Sequence, residues 1–136
     1  MNLTDQNKDI VTRFNKEVIE QGNLNTFNEL MDESFINRTA PPDANGPQGM
    51  WHTFNNILRP ALSNLKVKIH DQIAEGEKVT TRKSITGTHT GNLLGVAPTN
   101  KPITIEVIDI VRIKNGKYFE HWGINTFQSV LAELKK

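Results

Sequence analysis

Apolar positions in the first half of the chain recur at helical spacing. Ile10, Val11, Phe14 and Val18 form one stripe of a 3.6-residue period. Thr4 is placed to cap that helix, Asp5 suits the positive end of its dipole, and Gly22 supplies a left-handed stop. A second, short helix is predicted with Asn25 as its cap and Phe27, Leu30 and Met31 as its apolar face. Residues 38–49, rich in Pro and Gly, form a long loop that ends in Gly46-Pro47, a good opening for a third helix. Met50, Trp51, Phe54, Ile57 and Leu58 are its stripe, and Pro60 ends it. After residue 64 the period becomes two: Leu65, Val67 and Ile69 alternate with Lys66, Lys68 and His70. Further strands are predicted over 78–89, 103–113 and 117–125, followed by a short terminal helix with Phe127, Val130, Leu131 and Leu134.

Helices first and antiparallel strands afterwards predict an α+β domain. About three N-terminal helices cover one face of a curved antiparallel sheet of four or more strands. An internal pocket is expected between the layers, where small molecules commonly bind. The 136 residues fit one domain, 1–136.

Composition narrows the chemistry. There are 16 Lys and Arg against 15 Asp and Glu, a net charge of +1, so no nucleic-acid or acidic-membrane partner is expected from bulk charge. No cysteine is present, which removes disulfides, thiolate metal sites and a thiol nucleophile. The four histidines, at 52, 70, 89 and 121, show no metal-ligand spacing, and no metal or other cofactor is expected. No apolar run nears the roughly 18 residues that span a bilayer. Met1–Asp9 is polar and lacks a signal peptide's pattern, so a soluble cytoplasmic protein is expected. There is no phosphate loop, dinucleotide glycine pattern or Gly-x-Ser-x-Gly elbow.

Asn115-Gly116 is a strong two-residue hairpin signal and sets a register. Lys114 then faces Lys117, Ile113 pairs with Tyr118, Val111 with Glu120, Asp109 with Trp122 and Val107 with Ile124. In this register Asp109 and Glu120 stand close together on an otherwise apolar face beside Trp122. Carboxylates there must be hydrogen-bonded, paired or protonated, and a raised pKa would suit general acid/base work. Arg82 has two readings, an ion pair with Asp109 or a contact to a ligand carboxylate. His89 also has two, a residue that pins the 90–101 loop or an acid/base group at the cavity mouth. Trp122 serves as core and cavity wall, and Trp51 and Phe54 form the apolar side of the cavity. The opposite face carries Ile108, Ile110 and Phe119, with Arg112 and His121 nearby. An apolar outer face predicts a homodimer through the sheet, and His121 reads as a dimer-face or hydrogen-bonding residue.

One string is recognisable. Lys78-Val79 and Arg82 precede Thr86-Gly87-Thr88-His89-Thr90-Gly91, then Gly95, Pro98-Thr99 and Lys101. It closes with Asp109, Arg112, Asn115-Gly116-Lys117 and Glu120-His121-Trp122. Phe35-Ile36-Asn37-Arg38 is similar to a Phe-x-Asn-His element, and Gly49 with Phe54 fits the third helix. Together these resemble the SnoaL-like polyketide cyclases, also called ester cyclases, over nearly the whole chain. The resemblance implies the cone-shaped fold of the nuclear-transport-factor-like proteins and ring closure by intramolecular aldol condensation without metal or organic cofactor. It implies a catalytic Asp on the last strand after the Trp, a point read here as Thr126. It also places Asn37 and Thr126 among the ligand contacts. Arg38 stands for the family's His and Ser63-Asn64 for its Pro-Asp.

The expected function is therefore binding, and conversion by acid/base chemistry, of a small, largely apolar carbonyl compound. Asp109, Glu120 and His89 are the candidate catalytic groups. Arg82, Trp122, Trp51, Phe54, Asn37 and Thr126 are the candidate binding groups. The alternatives are a binding module that has lost its catalytic Asp and a purely structural domain.

Overall fold

The computed structural model describes residues 2–136. Helix α1 (Leu3–Arg13) runs on without a break as a π-helical stretch, Phe14–Glu20. Together they bury Val11, Phe14 and Val18 of the predicted stripe, and Ile19 beside them, while Ile10 is only partly buried. The cap is Asn2, not Thr4: the Asn2 side chain accepts from the Asp5 N–H, and the Thr4 hydroxyl donates to the same oxygen. Gly22, at φ +71°, ends the run as predicted. Arg59 closes this helix end from outside, donating to the carbonyls of Val18, Ile19 and Glu20.

Helix α2 (Leu24–Leu30) is capped by Asn23, whose side chain accepts from the Thr26 N–H, rather than by Asn25. It leads directly into strand β1 (Met31–Asn37), which periodicity did not predict. Helix α3 (Pro47–Trp51) opens with Pro at its first turn and continues as a π-helical stretch, His52–Leu58, and then α4 (Arg59–Ala61). Pro60 lies inside that last turn, and extended backbone begins at Leu62. The strands β2 (Leu62–Glu75), β3 (Lys78–His89), β4 (Pro102–Lys114) and β5 (Lys117–Asn125) follow, and α5 (Phe127–Leu134) closes the chain.

The sheet order is β1-β5-β4-β3-β2. All pairs are antiparallel except β1 with β5, which is parallel, so the wholly antiparallel expectation is corrected at this edge. Bulges in β2 and β5 bend the sheet, which curves around the helices without closing into a barrel. The core lies between helices and sheet, with Phe14 stacked on Tyr118 at 4.1 Å between ring centroids. No helix among the described residues is long and apolar enough to cross a membrane.

The β4–β5 hairpin corrects the predicted register. Lys114 does face Lys117 and Ile113 does pair with Tyr118, as the Asn-Gly turn requires. The next pair, however, is Arg112 with Glu120. Phe119 is an extra residue, a bulge, and it reverses the facing of everything after it on β5. Val111 pairs with His121, Asp109 with Gly123 and Val107 with Asn125 on the inner face. Glu120, Trp122 and Ile124 turn to the outer face, beside Arg112, Ile110 and Ile108. On that face Ile108 is 44% and Ile124 70% exposed, while Phe119 lies under the cations of Arg112 and Lys114.

Candidate functional site

The helices and the inner sheet face enclose a cavity of about 480 Å³. Met50, Phe54, Ile57 and Leu58 supply its helical wall, and Ile85, Ile105 and Val107 much of its sheet wall. Its polar end is built by three neighbouring strands. Alternation on β3 puts Lys83 inward, β4 puts Asp109 inward, and the Phe119 bulge swings His121 in from β5. Gly123, opposite Asp109, leaves space between them: a Cβ there would stand 2.8 Å from His121 Cε1 and 3.5 Å from Asp109 Cβ.

These groups form a connected chain. Lys83 Nζ donates to Asn15 Oδ1 at 2.6 Å and lies 3.4 Å from Asp109 Oδ2. His121 Nε2 lies 3.2 Å from the same Oδ2. His121 Nδ1 lies 2.9 Å from Asn37 Oδ1, brought there by the parallel pairing of β1 with β5. Lys83 and Asp109 are 3% and 5% exposed, which makes this a buried ion pair. Burial alone would push the Asp109 carboxyl up; the Lys83 ammonium and the His121 hydrogen bond outweigh it and hold the carboxyl below its ordinary range. Asp109 Oδ1 is buried and has no hydrogen-bond partner among the described residues. Beneath the cluster, burial and the Asp109 charge push the Tyr118 hydroxyl well above its ordinary range. No three His, Asp or Glu side chains among the described residues converge on a point that could hold a metal.

Of the predicted site residues, Asp109, Phe54 and Asn37 line this cavity. Others lie elsewhere. Glu120 is on the outer face, accepting from Arg38 at 2.9 Å and from Arg112 at 3.0 Å, which holds its carboxyl low. Trp122 faces outward with the Lys78 ammonium 5.2 Å from its ring. Both displacements follow from the bulge. Arg82 points outward and pairs with Asp71, so neither reading given to it is realised; the cation beside Asp109 is its neighbour Lys83. His89 is fully buried away from the cavity, with Nδ1 bound by the Thr99 hydroxyl and backbone N–H, and so pins the 90–101 loop. Trp51 packs on Phe27, with ring centroids 5.1 Å apart. Thr126 lies outside, its hydroxyl accepting from the Glu106 N–H. The residue that directly follows His121-Trp122 is Gly123, which does line the cavity.

Sequence reasoning missed Lys83, and it read His121 as a dimer-face or hydrogen-bonding residue; His121 does hydrogen-bond, but on the inner face. A signal existed for Lys83, since Val79, Thr81, Lys83 and Ile85 share one parity and all four are buried. None existed for His121 without knowledge of the bulge.

A family model described as SnoaL-like polyketide cyclase matches residues 9–134. No curated protein matches the chain significantly. Among solved structures, a protein of Bacillus cereus provisionally described as a polyketide cyclase is 27% identical, with a TM-score of 0.79 over 96% of this chain and 80% of that one. IdmH of Streptomyces antibioticus, described in the same provisional way, is 23% identical, with a TM-score of 0.81 over 96% and 99% of the two chains. TsrD of Streptomyces laurentii is 18% identical, with a TM-score of 0.84 over 98% of each. The last two carry the fold alone.

Proposed function

Because the chain belongs to the SnoaL-like polyketide cyclase family, we propose that it binds a small, largely apolar carbonyl compound in the cavity and converts it by cofactor-free acid/base chemistry. The observation that carries this reading is the cavity itself: apolar walls around one polar end where Lys83, Asp109 and His121 meet. Asp109, paired with His121, takes the proton from the carbon next to the ligand carbonyl. Lys83, the cation at this end of the cavity, offsets the negative charge on the ligand. Asn37 holds His121 in one ring orientation, and Phe54 covers the apolar body. His89, Glu120, Arg82, Trp122, Trp51 and Thr126 have no part in this chemistry.

One observation favours a second reading, a binding module without turnover. Thr126 stands where the resemblance implies the catalytic Asp, so no carboxylate stands at that point.

The test is exchange of the α-protons of 2-tetralone in deuterated water, followed by NMR. The wild-type protein should accelerate exchange and Asp109→Asn should lose at least ~100-fold of that acceleration. Binding of 2-tetralone with no acceleration would favour the module. Neither binding nor exchange would refute both.

The proposal extends to a homodimer through the outer sheet face, where Ile108 and Ile124 stand exposed. It also takes the working compartment as the cytoplasm, in line with a chain that has no cysteine, and assigns no nucleic-acid partner.

A further inference from the structure

The hydrogen bonds around His121 fix a proton count, and the count fixes the charge of the cavity. Asn37 Oδ1 accepts from the Thr39 backbone N–H at 3.2 Å and from the Thr39 hydroxyl at 3.1 Å. A backbone N–H only donates, so the Asn37 atom facing it is the amide oxygen and not the amide nitrogen. That oxygen also faces His121 Nδ1 at 2.9 Å, so Nδ1 carries the hydrogen. His121 Nε2 then meets Asp109 Oδ2 at 3.2 Å. Two lone pairs cannot bond, so this contact holds one proton. Whether it rides on nitrogen or oxygen, His121 and Asp109 together are neutral.

Lys83 is then left with an uncompensated charge. Asp109 is the one carboxylate that pairs with Lys83 or His121 among the described residues. No other residue lining the cavity bears a formal charge. The second partner of Lys83, Asn15, is neutral, and its amide is already spent on the Val11 carbonyl. Tyr118, beneath Asp109, keeps its hydroxyl proton. None of the other acids of this part of the sheet lines the cavity: Glu120 is paired with Arg38 and Arg112, Glu77 with Arg112, and Glu106 accepts from the Ser84 hydroxyl. A cavity with apolar walls thus holds a net charge of +1 at its polar end. An ammonium has three N–H groups, and Asn15 and Asp109 take two. A buried net charge is costly until a counter-ion arrives.

We propose that the cavity selects an apolar compound that bears a carboxylate, with the carboxylate seated against Lys83. This rests on the reading of the cavity as the ligand site and narrows its ligand class to organic acids.

The experiment compares two probes of one shape, 2-naphthoate and 2-naphthamide, by titration calorimetry near neutral pH and at low salt. The wild-type protein should bind naphthoate at least tenfold more tightly than the amide. Three variants separate charge from shape. His121→Gln keeps an N–H donor for one of the two oxygens, Asn37 Oδ1 or Asp109 Oδ2, but removes the shared proton, bringing the site to zero charge; its preference should vanish although Lys83 is intact. Lys83→Met also brings the site to zero and should also lose the preference. Asp109→Asn keeps the site at +1 and should retain it. His121→Gln carries the test if Lys83→Met does not fold.

Equal binding of the two probes by the wild type, or a preference that survives in His121→Gln, would overturn the inference and leave the cavity as a ligand site. Failure of both probes to bind would overturn the underlying reading and the inference with it.

Discussion

Lys83→Met is the perturbation with the clearest energetic signature. Lys83 and Asp109 are almost wholly buried and their charged atoms are 3.4 Å apart. At an effective dielectric constant of about 20 their attraction is about 5 kcal/mol, before the cost of removing both from water. Deleting the cation does not simply cancel that sum. It leaves Asp109 buried with one partner, His121, and an Oδ1 that already lacks one. Breaking a buried pair costs up to about 3–5 kcal/mol when the remaining charge is left without a partner; the proton that Asp109 shares with His121 offsets part of that, and the remainder is still a sizeable share of the stability of an ordinary domain.

The assay is urea denaturation followed by tryptophan fluorescence, run on Lys83→Met, Asp109→Asn and the double variant. Each single variant should lose stability, and the double variant should lose at least ~1.5 kcal/mol less than the sum of the two. The pH dependence has a definite sign. The folded-state pKa of Asp109 is depressed, so its contribution is complete above the unfolded value, about 3.9, and is lost as pH falls through the folded value. The gap between wild type and Lys83→Met should therefore narrow below about pH 4. Glu17 and Glu120, also held low, are common to both proteins and drop out of the difference. A loss under ~1 kcal/mol near neutral pH, or a gap that does not change on acidification, would refute the buried-pair account.

Three further outcomes follow. Arg82→Ala should cost less than ~1 kcal/mol and leave 2-naphthoate binding unchanged, because Arg82 and Asp71 are more than half exposed on the outer face; a large loss in the same denaturation and titration assays would contradict that placement. Gly91→Ala should cost at least ~1–3 kcal/mol in thermal unfolding, since an added Cβ would strike the Pro60 carbonyl where the 90–101 loop crosses α4. Ile124→Lys should turn the proposed dimer into a monomer by light scattering at micromolar concentration without changing 2-naphthoate affinity; a wild-type monomer would dispose of the dimer.

The fold was legible in the sequence because most strands obey a period of two over long runs. The bounds of β3 and β5, 78–89 and 117–125, match the prediction. Strand β1 escaped because it is an edge strand on which only Met31 and Phe35 are buried, a spacing of four that reads as helix. The site was legible only in part. Asp109 could be found because it precedes the hairpin turn on the strand that keeps its register. Its true companions could not, because the bulge at Phe119 has no marker such as glycine, and one extra residue exchanged Glu120 and Trp122 for His121 and Gly123. Arg82 and Lys83 show the cost of a wrong default. Both are long cations on one strand, and parity, not residue type, decides which is buried.

The central claim is that chemistry belongs to the inner face, at Lys83, Asp109 and His121, and not to the outer face with Glu120, Arg82 and Trp122. Titration of isotope-labelled protein with 2-tetralone, followed by amide and indole NMR shifts, distinguishes the two faces. Saturable shifts are expected at Lys83, Asp109, His121 and Gly123, with the Trp122 indole N–H unmoved. Shifts centred on the Trp122 indole, Arg82 and Glu120, with the inner-face amides unmoved, would contradict it.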